Sequence, residues 1–221
     1  MSATPFSFVS YFAGLPEEDL AIIEASALRK SFQPDQMVLM EGDPAGGLYV
    51  VENGWLKAVK MSTSGREQVL NFLGPGEVFN AVAVFAGTPN QASVITLEES
   101  VVWWIDRKTM RRLLDTHPKL AQGIIRDLAG RLQHLVGLVE DLSLRSVESR
   151  LARMLVEGAA KTAVIRRKWA TQTEMAARLG TVPDVLNRAL RKLVEEGLIE
   201  VTRHQIRILD LDALRQKVDA D

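Results

Sequence analysis

Ile125, Leu128, Leu132, Leu135, Val139 and Leu142 follow one another at spacings of 3, 4, 3, 4 and 3 residues, and no other pattern constrains the chain as much. Such a run is the a/d seam of a heptad helix, and a seam of that length has to be covered by something apolar. The helical period starts at Pro118 and persists to Leu144. Ile124, Val136 and Leu138 widen the stripe, so the helix can cover its own chain on one side and meet a second copy of itself on the other. A parallel homodimer through this helix is the expectation.

Before the helix the period is that of short strands. After a helix predicted over residues 16–28, opened by Pro16 and the acids Glu17, Glu18 and Asp19, apolar segments recur at Met37–Met40, Leu48–Val51, Leu56–Val59, Gln68–Leu73, Ala92–Thr96 and Val101–Ile105. Turn residues punctuate them at Gly42-Asp43-Pro44, Glu52-Asn53-Gly54, Ser64-Gly65, Gly74-Pro75-Gly76 and Gly87-Thr88-Pro89-Asn90. Even spacing of short strands predicts a barrel or jelly roll. Gly74-Pro75-Gly76-Glu77 is read as one of its turns and not as a dinucleotide fingerprint, because no helix is predicted after it.

Behind the long helix a second amphipathic helix carries Val147, Leu151, Met154 and Leu155, followed by a polar link around Gly158–Lys161 and the basic stretch Arg166-Arg167-Lys168. Residues 171–193 then read as helix, turn at Gly180, helix. The first of these helices buries Met175, Ala176 and Leu179 and the second Val185, Leu186, Leu190 and Leu193, with Pro183 at the second helix's start, where a missing N–H costs nothing. Gly197–Val201 and Gln205–Leu209, flanking Thr202-Arg203-His204, form a hairpin wing. The whole is a winged helix-turn-helix.

Charge supports that reading. Net charge is −1, but residues 1–144 hold 12 basic against 17 acidic side chains and residues 145–221 hold 15 against 11. Between Ala159 and Arg207 there are 10 basic and 5 acidic residues, which places positive charge where a polyanion could use it. The chain has no cysteine and three scattered histidines, His117, His134 and His204. That excludes disulfides, thiol catalysis, Cys-ligated iron–sulfur clusters and most metal sites. With no phosphate loop and no nucleophile elbow either, the chain is not expected to be an enzyme. No apolar run reaches a membrane span, and Met1–Pro5 lacks the basic start of a signal peptide, so a cytoplasmic protein without a membrane partner is the expectation.

Glu41–Ala45, Leu48–Val51, Gly54–Lys57, Ser64–Gln68, Leu73–Phe79 and Arg131-Leu132 occur together in this order. On these stretches the chain resembles, over nearly its whole length, the cyclic-AMP receptor protein and fumarate–nitrate regulator (Crp/Fnr) family of bacterial transcription factors. The resemblance implies an α+β chain: a cyclic-nucleotide-binding-type β-roll over residues 1–117, a dimerisation helix over 118–144 and a winged helix-turn-helix over 145–221. It further implies sequence-specific binding of a roughly palindromic operator, with RNA polymerase as a further partner. On the second helix of the motif, Arg188 stands where the family keeps a base-reading arginine. Asp184 replaces a glutamate there, and Pro183 and Asn187 complete the reading surface. Thr171, Thr173, Thr181 and Arg191 are expected near phosphates.

The departures concern the effector. Family members that bind cyclic nucleotides hold the ribose with a glutamate and the phosphate with an arginine; the corresponding stretches here are Phe79-Asn80-Ala81 and Asn90-Gln91-Ala92. Leu135 and Val136 stand where polar groups would meet the base. Losing the arginine forfeits charge-assisted hydrogen bonds of about 1.5 to 3 kcal/mol each, so cyclic AMP is not expected, and the absence of cysteine removes the iron–sulfur cluster of the family's oxygen-sensing branch. Phe79, Asn80, Ala81, Gln91, Ala92, Leu132, Leu135 and Val136 are the predicted effector pocket. Because some family members that sense NO or CO bind haem, haem stays open beside another metabolite or no effector. His117, His134, Met37, Met40 and Met61 are the conceivable axial ligands, although each has a plainer structural reading. The alternative function is a β-roll sensor or interaction module that has lost effector or DNA binding.

Overall fold

The computed structural model describes residues 6, 9–12, 15–63, 65–158, 163–165, 171–202 and 205–218. In chain order the elements are α1 (Glu17–Ser26), β1 (Leu28–Phe32), β2 (Met37–Leu39), β3 (Gly47–Asn53), β4 (Leu56–Met61), β5 (Glu67–Leu73), β6 (Val78–Phe79), α2 (Ala81–Ala86), β7 (Ser93–Thr96), β8 (Ser100–Asp106), α3 (Arg107–Thr116), α4 (Pro118–Leu144), α5 (Val147–Gly158), β9 (Ala163–Ile165), α6 (Gln172–Arg178), α7 (Pro183–Glu195), β10 (Ile199–Val201), β11 (Gln205–Ile208) and α8 (Leu211–Val218). They form two compact units, residues 1–60 with 70–134 and residues 61–69 with 135–221, and α4 has residues in both.

Two four-stranded sheets, β1-β8-β3-β6 and β2-β7-β4-β5, make the roll, and apart from Met61 of β4 and residues 67–69 of β5 their strands lie in the first unit. Strand alternation sorts its side chains. Tyr49 and Val51 of β3 face the core between the sheets, with Leu39, Leu56, Leu73, Phe79, Val94 and Val102. Leu48 and Val50 of the same strand face a second core, built with Phe6, Val9, Tyr11, Phe12, Ile23, Met110, Leu113, Leu120 and Ile124. Among the described residues, helices therefore cover one face of the β1-β8-β3-β6 sheet, and the start of α4 is one of them.

The structure adds elements that the sequence reading lacks. The helix expected over 16–28 ends at Ser26, and Leu28 opens β1, which pairs with β8 from Leu28↔Trp104 to Phe32↔Ser100. A short helix, α2, does follow the Gly74–Glu77 turn, after the two residues of β6. It still makes no phosphate loop, since it is entered through Asn80 in the left-handed conformation (φ 67°) and not through a glycine-rich turn. Arg107–Thr116 is helical because Asp106 caps it: its carboxylate accepts from the amide of Thr109 at 3.0 Å and from the hydroxyl at 2.6 Å.

Burial pushes the Asp106 carboxyl up, but the hydrogen bonds from Thr109 and from the backbone amides of Lys108 and Asp106 together outweigh it and the group sits below the ordinary aspartate value. A carboxylate depressed in the fold stabilises above its unfolded pKa, and that contribution is lost as pH falls through the folded one. Asp106→Ala is therefore expected to cost about 1 kcal/mol at neutral pH, with the difference from wild type shrinking in acid. Thermal melts at neutral and acid pH check both parts.

In the second unit α5, α6, α7 and α8 surround a core of Leu151, Leu155, Met175, Leu186, Leu193, Ile206 and Leu214. The expected wing is present, with β10 and β11 paired from Ile199↔Ile208 to Val201↔Ile206. The sequence reading lacks β9, which pairs with β11, and α8. Arg166, Arg167, Lys168, Arg203 and His204 lie outside the described residues.

Candidate effector cleft and nucleic-acid interface

Inside the first unit a cleft of about 350 Å³ opens beside β2 and the start of β3. Met37, Met40, Gly47, Tyr49, Asn80 and Asn90 line it. Gly47 is required there, because a Cβ would stand 2.3 Å from the carbonyl of Ile105 and 2.7 Å from the indole nitrogen of Trp104. Asn80 donates to the carbonyl of Gly47 at 3.0 Å, and Asn90 to that of Met40 at 3.0 Å.

Of the predicted pocket residues only Asn80 reaches this cleft. Phe79 is buried in the roll core and stacks on Tyr49, with centroids 4.9 Å apart and rings 7° from parallel. Ala81 is buried in the first turn of α2. Gln91 folds onto its own loop, donating to Thr88 Oγ1 at 3.1 Å and to the carbonyl of Pro89 at 2.9 Å, and Ala92 is half-buried beside it. Leu132, Leu135 and Val136 of α4 are exposed.

The seam of α4 divides. Leu128 is half-buried against the core of its own unit, next to Leu120 and Ile124. Ile125, Leu132 and Val139 are 66%, 63% and 63% exposed, and Leu135 and Leu142 are exposed as well. Between the two faces Arg131 donates to Asp127 and to the carbonyl of Val78, while Tyr11 donates to Asp127 at 2.8 Å. Burial works against the Arg131 cation, but the hydrogen bond to Asp127 and the attraction of Tyr11, Asp127 and Glu77 together outweigh it and its pKa is raised. The Glu77 carboxyl nearby is pushed up by burial. Nothing in the sequence marks Tyr11, Asp127 or Glu77 as belonging together, since they come from segments far apart in the chain.

None of the conceivable haem ligands offers a free histidine at the cleft. His117 caps the end of α3, with Nε2 2.6 Å from Asp19 and Nδ1 3.2 Å from the carbonyl of Leu113, so both ring nitrogens are engaged. His134 is exposed, with Nε2 3.2 Å from the carbonyl of Leu70. Met61 is exposed, and only Met37 and Met40 line the cleft.

In the second unit Thr171 caps α6, its hydroxyl accepting from the amide of Glu174 at 3.2 Å, so its side chain already has a structural task. Gly180, at φ 64°, turns the chain into α7. Leu186, Ala189, Leu190 and Leu193 fill the inner face of α7. At 3.6 residues per turn the opposite face is Asp184, Arg188 and Arg191, all exposed, with Asn187 half-buried at its edge and Pro183 exposed at its start. Thr173 is exposed and Thr181 half-buried. Lys192 pairs with Glu148 at 2.7 Å and Arg207 with Glu200, whereas Arg188 and Arg191 enter no ion pair among the described residues.

Two family matches account for both units. Residues 29–117 match the cyclic nucleotide-binding domain, and residues 149–217 match the Crp-like helix-turn-helix domain. The chain belongs to the Crp/Fnr family.

Relatives agree along the length of this Crp/Fnr regulator. It is 27% identical over 203 residues to the CRP-like cAMP-activated global transcriptional regulator of Mycobacterium tuberculosis, covering 87% of this chain and 91% of the relative. It is 28% identical over 208 residues to the probable transcriptional regulator flp of Lacticaseibacillus casei, covering 92% and 93%. FixK2 from Bradyrhizobium japonicum shares the fold, with a TM-score of 0.76 at 22% identity over 86% of this chain and 96% of that one. The chain is thus a DNA-binding transcription regulator and not an enzyme. Among the described residues no helix is long and apolar enough to cross a membrane.

Proposed function

We propose that this Crp/Fnr regulator acts as a homodimer on a roughly palindromic operator, reading base edges with Asp184, Asn187 and Arg188 and holding phosphate with Arg191, under control of a signal at the roll. The observation that carries this is the outward face of α7, where two exposed arginines have no ion-pair partner among the described residues while Lys192 and Arg207 are neutralised. The exposed apolar seam of α4 supports the dimer. Two copies would present two α7 helices to half-sites about one helical turn apart, or a multiple of that. RNA polymerase is the further partner proposed. Enrichment of duplexes from a random pool by the full chain is expected to return an inverted repeat; enrichment of no sequence would overturn the reading.

For the signal we propose a small molecule other than a cyclic nucleotide. Ala81 is buried and Gln91 is tied to its own loop, so neither can take the place of a ribose or phosphate ligand. Calorimetry of the wild type with cyclic AMP is expected to show no binding at micromolar concentration. Haem fits the described residues of the roll poorly, for the cleft offers it methionines but no histidine. Purification with haem supplied during expression is accordingly expected to give no Soret band at stoichiometric intensity.

A further inference from the structure

We propose that Val182 reads sequence in the operator, its side chain meeting the C5-methyl group of a thymine in each half-site. The proposal rests on α7 being the helix that enters the major groove and adds to it a residue outside the polar reading surface.

Val182 is the N-cap of α7, and its carbonyl accepts from the amides of Val185 and Leu186 at 3.1 Å each. That fixes its backbone at the end of the helix which docked helix-turn-helix proteins direct at base edges. A polar N-cap would be the stabilising choice here. Asp106 and Thr171 supply one to α3 and α6, each with a side-chain hydrogen bond. Val182 supplies none, so α7 forgoes its cap in favour of an apolar side chain.

That side chain is not used for folding either. It is 48% exposed and is absent from the core of its unit, whose place on α7 is filled by Leu186, Ala189, Leu190 and Leu193. A β-branched side chain is stiff, so it offers a fixed apolar surface with little rotamer entropy to lose on contact. It can neither donate to a phosphate nor pair with a polar base edge. In the major groove the complementary feature is the thymine methyl, which the other three bases lack. Pro183, also exposed, extends the same apolar step toward Asp184.

The test uses the full chain and an operator selected from random duplexes, with each thymine of the half-site replaced in turn by deoxyuridine, which removes only the methyl. At one position the wild type is expected to lose about three- to fivefold in affinity, the effect of one methyl-sized apolar contact. Val182→Ala is expected to show that same loss on the thymine operator, to be indifferent to deoxyuridine at that position, and to keep the wild-type melting temperature. Val182→Ile should stay sensitive to the methyl. Identical deoxyuridine profiles for wild type and Val182→Ala would overturn the proposal while leaving operator binding intact. Failure to select any duplex would instead overturn the reading of α7, and this proposal with it.

Discussion

Leu132→Lys combined with Val139→Lys is expected to turn the dimer into a monomer and to lower operator affinity by a hundredfold or more. Both side chains are 63% exposed in the single chain and lie two turns apart on the seam, so the change costs the folded protomer little. In a dimer the same residues would be desolvated against their symmetry mates, and four ammonium groups would then face one another along one seam. The loss in DNA binding follows from geometry and not from any contact to DNA. A dimer engages its second half-site at high effective concentration, and losing that linkage typically forfeits a factor of about 10² to 10⁴. Sedimentation and duplex titration check the two halves. A double variant that still sediments as a dimer would show that the interface lies elsewhere. The matching change at Leu128 should behave differently: half-buried in its own unit, it is expected to destabilise the fold before it touches assembly.

Arg188→Ala is expected to cost about 1 to 3 kcal/mol of operator binding and to relax specificity at one base pair per half-site, because arginine grips the O6 and N7 edge of guanine with two donors. Arg191→Ala, one turn further along the same exposed face, is expected to weaken all sequences alike. It should flatten the salt dependence by about one ion per subunit, as the loss of a phosphate contact does. Titrations against the selected operator and a scrambled duplex at several salt concentrations separate the two. Equal loss on both duplexes for Arg188→Ala, with a changed salt slope, would sink its assignment as the base reader. Lys192 is the internal comparison: it is already paired with Glu148, so its removal should change the salt slope less than that of Arg191.

Periodicity alone determined much of this protein. The 3-4-3-4-3 seam from Ile125 to Leu142 marked a helix, and it lies within α4. Alternating segments between glycine and proline turns marked the strands of the roll, and Gly180 with Pro183 marked the helix-turn-helix. These are local signals, written by which face of an element must be apolar and which residue can turn the chain. Only the tertiary structure decided the rest. Leu128 and Leu132 are equivalent in the heptad, yet one packs on its own unit and the other is exposed, because the core around Leu120 and Ile124 extends just that far along α4. The resemblance implies a place for Gln91 in the effector pocket, and its side chain is hydrogen-bonded to Thr88 and Pro89. The cleft instead gathers Met37, Tyr49, Asn80 and Asn90 from four separate segments. Tyr11, Asp127 and the carbonyl of Val78 meet around Arg131 in the same way. Contacts between residues so distant in the chain carry no period, and folding alone brings them together.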